Sequence, residues 1–343
     1  MAVVLSIFVA LLGGWLIPWL AMKLIMAARF KSGKQQTTNY AGNTVSYGLA
    51  LVWPVWAVSL FVMLLKGSWL ASVLPNLIAE GGSIGPIADA GFAQTLLQLA
   101  QSYTFNSTFF VLAIPLVVIC FFFGWLDDRF GARGDGGFKG HLKALFRGKM
   151  TTGMAKVLGI GLVSLVVAVY ANGYGFFDGS VWTLNASDAF WIFLSMCAIA
   201  LGANLVNLFD LRPARAGKVY VVLLAQIFFI TACSIFVIAA VTGIWNPWEV
   251  TAEKFIYLLW ALGPIFAIWR FDAGGRAMLG DAGANPAGAL MGLYAVTGLW
   301  ILLPVHVLIV FVLNMLSEKY SFTAIIERNF ILKALDMWGR PKE

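Results

Sequence analysis

The stretch FFVLAIPLVVICFFFGWLDDRFG, residues 109–131, decides how this chain is to be read. Phe109 to Leu126 carry no charge, and about 20 such residues in a row cross a bilayer as a helix. Asp127 and Asp128 follow at once. The end of a lipid-facing helix gains nothing from two adjacent like charges. The pair is therefore either solvated punctuation, partnered by Arg129 and Arg133, or the holder of something positive.

The same pattern recurs along the chain. Of 343 residues, 61% are hydrophobic and only 11% charged, with a mean hydropathy of +0.86. A soluble domain carries about 25% charged residues, so the sequence predicts an all-α, polytopic membrane helical bundle. Apolar runs of bilayer length lie near 3–27, 46–66, 107–126, 154–172, 187–208, 219–242 and 253–269. A last run, 286–316, has room for a short helix and a full one broken at Leu303-Pro304. That makes about nine spans on the bilayer ruler. No internal repeat or soluble boundary divides the chain, so residues 1–343 read as one integral-membrane domain.

Charge fixes the expected orientation. With the N-terminus outside, the inside segments are the loops 28–45, 127–153, 209–218 and 270–285 and the tail 317–343, and the C-terminus is cytoplasmic. Every Lys and Arg except Lys66 and Lys254 lies in or beside these segments, as the positive-inside rule requires. The net charge of +7 is thus topology first. No basic stretch resembles a nucleic-acid module, so no nucleic acid is expected as partner. The first positive charge, Lys23, follows the first apolar run, which reads as a span and not a cleavable signal. Loop 67–106 contains LIAEGGSIGPIADAGF (77–92) and a helix expected at 90–101 along the membrane interface. Cys120, Cys197 and Cys233 each sit in an apolar run as small hydrophobes. His141 reads as a solvated loop residue and His306 as an interface marker; neither has a second histidine nearby, so zinc is not indicated.

Three separate spans bring carboxylates to that inside face. Asp127 and Asp128 close the third span. ANLVNLFDLRPARAGK (203–218) closes another with Asn204, Asn207 and Asp210, followed by Arg212, Arg215 and Lys218. RFDAGGRAMLGDAGANPAG (270–288) supplies Asp272, Arg276, Asp281 and Asn285. Steps of three drift only about 60° on a helix, so Asn204, Asn207 and Asp210 form one polar stripe. Such residues are functional candidates, with interhelical hydrogen bonding as the plainer alternative. Converging carboxylates suit a hard cation such as Mg²⁺, which takes one or two of them and completes its shell with water and phosphate oxygens. Arg212, Arg215, Lys218, Arg276 and the Lys139–Lys156 group could pair with phosphate. Together these point to a phosphate-bearing substrate handled by metal at the membrane surface.

The order DD after a span, NxxNxxD closing a later one and GDAG opening another resembles the polyprenyl-phosphate N-acetylhexosamine-1-phosphate transferases. That family includes phospho-N-acetylmuramoyl-pentapeptide transferase and the undecaprenyl-phosphate GlcNAc-1-phosphate transferases. The resemblance covers roughly residues 28–317. It implies Asp127 and Asp128 as the catalytic aspartate pair and Asp281 as the metal-binding aspartate, with Mg²⁺ shared among them. It also implies Asn204, Asn207 and Asp210 on the nucleotide side, with Arg212, Arg215, Lys218, Arg276 and Lys156 as substrate-binding cations. The implied partners are undecaprenyl (polyprenyl) phosphate, a UDP-sugar and membrane lipids, in a bacterial cytoplasmic membrane, with a homodimer admitted. The sequence departs from the family at DLRPARAGK, where Pro213 stands in place of a second aspartate. It also lacks the family's late histidine-rich loop, has NYAGNTVSYG (39–48) for a Pro-Thr-Gly-Gly stretch, and counts one span fewer than the best-known members. These departures keep open a catalytically inactive homologue that binds polyprenyl phosphate or scaffolds an envelope complex. A transporter or flippase fits less well, because the charges sit at the span ends.

Overall fold

The computed structural model describes residues 2–32, 36–38, 44–79, 90–102, 107–131, 140, 144–175, 180–243 and 246–340. Seven helices in it are long and apolar enough to cross a membrane, and up to eight if a bent pair is counted as one span. The chain is thus a multi-pass membrane helical bundle. Its helices are α1 (Ala2–Ser32), α2 (Val52–Ala79), α3 (Ala90–Ser102), α4 (Thr108–Phe130), α5 (Thr152–Ala171) and α6 (Ala186–Leu208). They continue with α7 (Arg215–Thr242), α8 (Pro247–Ala273), α9 (Asp281–Gly298), α10 (Leu303–Ser317), α11 (Phe322–Arg328) and α12 (Phe330–Met337). The expected break at Leu303-Pro304 falls at the start of α10, where proline's missing N–H leaves nothing unsatisfied. Against the about nine spans read from sequence, length and composition give seven or eight helices able to cross.

Helix α9 is the axis of the bundle. All residues from Ala282 to Ala295 are buried, and its sequence, DAGANPAGALMGLYAVTG, explains how. Small residues let neighbouring backbones come within contact. A Cβ at Gly288 would lie 2.1 Å from the Gly202 carbonyl oxygen of α6, and one at Gly292 would lie 2.4 Å from that of Ala198. Larger side chains close the other faces. The Trp53 indole donates to the Gly283 carbonyl at 2.8 Å, tying α2 to the first turn of α9. The Trp56 indole does the same to Trp260 of α8 at 2.9 Å.

In α1 the turn at Leu11–Leu16 widens to π geometry, and the Ser59 hydroxyl donates to the Gly13 carbonyl there at 2.8 Å. Three short strands, β1 (Gln36–Thr38), β2 (Thr44–Tyr47) and β3 (Ala277–Met278), form a small sheet at the end of the bundle where α9 begins. β1 runs antiparallel to β2, which pairs parallel with β3 through Ser46 and Ala277. This sheet staples the turn before α9. At the same end α10 bends by 92° into α11, so the tail crosses the bundle axis rather than continuing along it.

Candidate functional site

The charges gather at this end because three helices stop there. α4 approaches the start of α9 through Gly124, where a Cβ would lie 2.5 Å from the Asp281 carbonyl oxygen. One turn later on the same face stands Asp128. Its carboxylate accepts hydrogen bonds from the amides of Asp281 (3.1 Å) and Ala282 (2.8 Å). These are orphan donors at the positive end of the α9 dipole, and a carboxylate there is favoured. Gly280, at φ 69°, makes the left-handed turn that aims them at Asp128.

Asp127, one residue earlier, turns toward α5. Lys156 reaches back from α5 and binds Asp127 at 2.7 Å and Asp281 in a still closer contact. One ammonium therefore sits between two carboxylates from different helices. The structure brings Asp127, Asp128 and Asp281 together, and Lys156, read from sequence as a substrate-binding cation, lies against two of these acids. Thr151 fixes the position of α5 by accepting from the Met154 amide at 3.1 Å.

A second contact joins the two turns that flank this cluster. The Asp210 carboxylate accepts from the Gly280 amide, and the Asp272 carboxylate accepts from the Ala214 amide. Ala214 adopts a left-handed conformation, φ 57°, to present that amide. Burial pushes the Asp210 carboxyl well above the ordinary carboxylate range, and repulsion from Asp272 and Asp281 adds to it; the Gly280 hydrogen bond opposes both. A small cleft lies between the turns, lined by Asp210, Arg212, Pro213, Asp272 and Leu279 among others.

Arg215 and Lys218 have another role from the one the sequence suggested for them. Arg215, 3% exposed, holds Asp336 of α12 by two hydrogen bonds of 2.8 Å each. Arg340 binds the same carboxylate at 2.6 Å and the Pro213 carbonyl at 2.7 Å. Lys218 donates to the Leu335 and Asp336 carbonyls. Burial alone would raise the Asp336 carboxyl, but the Arg215 hydrogen bonds and the charges of Arg340, Arg215 and Lys218 hold it below its usual value. This clasp pins the tail over the turns. Asp336 and Arg340 were not singled out from sequence; the only signal for them is their spacing of four on a helical segment.

The remaining candidates are dispersed. The Asn204 amide donates to Asn314 of α10 at 2.6 Å, and Asn314 donates to the Leu201 and Val310 carbonyls. That is the interhelical alternative for the polar stripe. Asn207 is half-buried beside the turn, Arg212 pairs with Glu327 at 3.1 Å, and Arg276 is exposed. Arg133, Lys139, His141, residues 33–35 and 39–43 of loop 28–45 and residues 80–89 lie outside the described residues.

Could this end hold a metal? Among the described residues no group of three His, Cys, Asp or Glu is gathered as ligands. The donors that do converge, Asp127 and Asp281, are hard oxygens, and the Lys156 ammonium marks the point where their cation belongs. Two carboxylates with open positions fit Mg²⁺, provided Lys156 withdraws. Comparison with known proteins adds no family: no protein-family model matches the chain, and no curated protein matches it.

Proposed function

We propose that the protein is a Mg²⁺-dependent phosphoglycosyl transferase. It moves a sugar-1-phosphate, of the N-acetylhexosamine or MurNAc-peptide type, from a UDP-sugar to undecaprenyl (polyprenyl) phosphate. The reaction releases UMP at the cytoplasmic membrane face, in cell-wall or envelope polysaccharide synthesis. The observation that carries this reading is the meeting of Asp127 and Asp281 on one ammonium at the end of an apolar bundle.

The physics suits the layout. A lipid phosphate reaches the site from the bilayer and a nucleotide from the cytosol, and they meet only at this boundary. An acceptor phosphate oxygen attacks the sugar-bearing phosphorus of the UDP-sugar, the bond from that phosphorus to the bridging oxygen breaks, and UMP leaves. A phosphate monoester has its second pKa near 6, so the acceptor is mostly dianionic at pH 7 and needs no general base. Asp127 and Asp281 would hold Mg²⁺, which when bound supplies neutralisation of the diphosphate and of the leaving UMP. Asp128 holds the start of α9 in place, which sets where Asp281 stands. Lys156 keeps the two carboxylates together before substrate binds and is then released to a phosphate oxygen. Arg212, which lines the cleft between the turns, is a further cation for the nucleotide phosphates.

The test is direct. Purified protein with Mg²⁺, undecaprenyl phosphate and UDP-GlcNAc or UDP-MurNAc-pentapeptide releases UMP, and Asp281→Asn lowers the rate by about two orders of magnitude or more, the scale of losing an electrostatic stabiliser.

One observation favours a second reading. Lys156 already neutralises the carboxylate pair, and Asp128 is spent on α9, so the end of the bundle is complete without a metal. A non-catalytic homologue that binds polyprenyl phosphate or scaffolds an envelope complex has this property. Silence across a broad UDP-sugar panel, with undecaprenyl phosphate still bound, would select it.

A further inference from the structure

A cavity of about 500 Å³ opens far from the carboxylates, between α7, α8 and the last turn of α9. Thr231, which lines it, stands sixteen residues along α7 from Arg215, about 24 Å toward the opposite end of the bundle. The walls are apolar, among them Ile235, Ile238, Leu299 and Leu302. Val237 and Ile301, 63% and 77% exposed, stand at the mouth on the outer surface of the bundle. Entry is therefore from the bilayer.

Two features of this cavity are unexplained by folding. The Thr231 residue is 1% exposed, and its hydroxyl has no hydrogen-bond partner among the described residues. The neighbouring hydroxyls differ: Ser234 donates to the Ile230 carbonyl and Thr297 to the Tyr294 carbonyl. A buried hydroxyl left without a partner is unfavourable. The second feature is Lys254, whose side chain is 17% exposed. Among the described residues its carboxylate partner is Glu253, its own neighbour in sequence, at a loose 3.7 Å, with the Tyr257 ring 5.1 Å below. Lys254 is also one of two lysines that break the charge asymmetry of the chain. A cation held in an apolar setting without a close anion is costly.

The Lys254 ammonium can only donate and the Thr231 hydroxyl can donate, so one acceptor that carries negative charge satisfies both. The walls demand that it also carry a hydrocarbon chain. We propose that this cavity is a binding site for one anionic phospholipid, with its phosphate on Lys254 and the Thr231 hydroxyl and an acyl chain against α7 and the end of α9. The site is separate from the carboxylate cluster and does not depend on the function proposed for it.

Native mass spectrometry of the detergent-purified full chain, with equimolar phosphatidylglycerol and phosphatidylcholine of matched chains, tests this. The wild type retains one phosphatidylglycerol with a preference of about fivefold or more, the scale of one charge-assisted contact. Lys254→Met cuts the preference to about twofold or less, while Lys66→Met leaves it intact. Should Lys254→Met melt far below the wild type, Thr231→Val, which keeps the shape and removes the donor, gives the same direction. Equal retention of the two lipids, no retained lipid, an unchanged preference in both cavity variants, or a second copy of the chain in place of lipid would each overturn the proposal.

Discussion

Two ion networks share one end of the bundle, and they are unbalanced in opposite senses. At the head of α9 two carboxylates, Asp127 and Asp281, share one ammonium, Lys156, while a third, Asp128, is held by the helix amides. At the tail clasp one carboxylate, Asp336, faces three cations, Arg215, Arg340 and Lys218. They adjoin through Asp210, which feels the charges of Asp281 and Asp128, and its neighbour Asp272, which feels those of Arg340 and Lys218. A network with surplus acid has capacity for a cation, and one with surplus base has capacity for an anion. The difference teaches that the two clusters are complementary in sign, which is the arrangement our proposed transfer of a phosphate with a metal would use.

The comparison can be broken most severely at the clasp. Arg215→Leu leaves Asp336 buried with only part of its neutralisation, and losing one partner of a buried pair costs about 3–5 kcal/mol. We expect trypsin to reach Lys319 much faster and the melting temperature to fall, while UMP release falls less than in Asp281→Asn. An equal loss of activity would mean that the clasp belongs to the reacting centre. A smaller effect is expected at the other network. Lys156→Met removes the ammonium between Asp127 and Asp281, so Mg²⁺ should then stabilise the protein more than it does the wild type. At ten times its dissociation constant the ion contributes about 1.4 kcal/mol. An identical Mg²⁺ response in both proteins would deny that the lysine and the ion compete. The smallest effect is that of acid on the tail. The Asp336 carboxyl is held down in the folded protein, so its contribution is present above the ordinary value of 3.8 and is lost as pH falls through a lower one. Hydrogen exchange in α12, taken relative to the intrinsic rate at each pH, should therefore be flat as pH falls from about 5 to 3.8 and rise only below 3.8. An earlier rise would show that the arginines do not govern it.

Much of the carboxylate cluster was legible because it lies where apolar runs stop. Asp127, Asp128 and Asp281 mark the ends of runs on one predicted face, and orientation alone makes them neighbours. The helix boundaries were legible for the same reason, since the bilayer sets the length of each apolar run. What could not be read was the partner of each cation. Lys156 and Asp281 lie 125 positions apart, and Arg215 and Asp336 lie 121 apart. No local pattern links them. Asn204 shows the opposite error: its spacing placed it on a stripe with Asp210, but Asn314 was invisible as a partner until α10 was folded against α6. The tail was hardest, because α12 turns Asp336 inward and leaves Phe330 85% exposed, which reverses the usual reading of an amphipathic helix.

The glycine contact between α9 and α6 carries a mechanical consequence. Where two backbones touch with no side chains between them, there is nothing soft to compress or re-pack. Asp281 therefore stands on a fixed post, and any opening that admits a nucleotide must come from the turns and the tail. Adding even one methyl group at Gly288 should act far from the carboxylates, by lifting that post out of line with its neighbours.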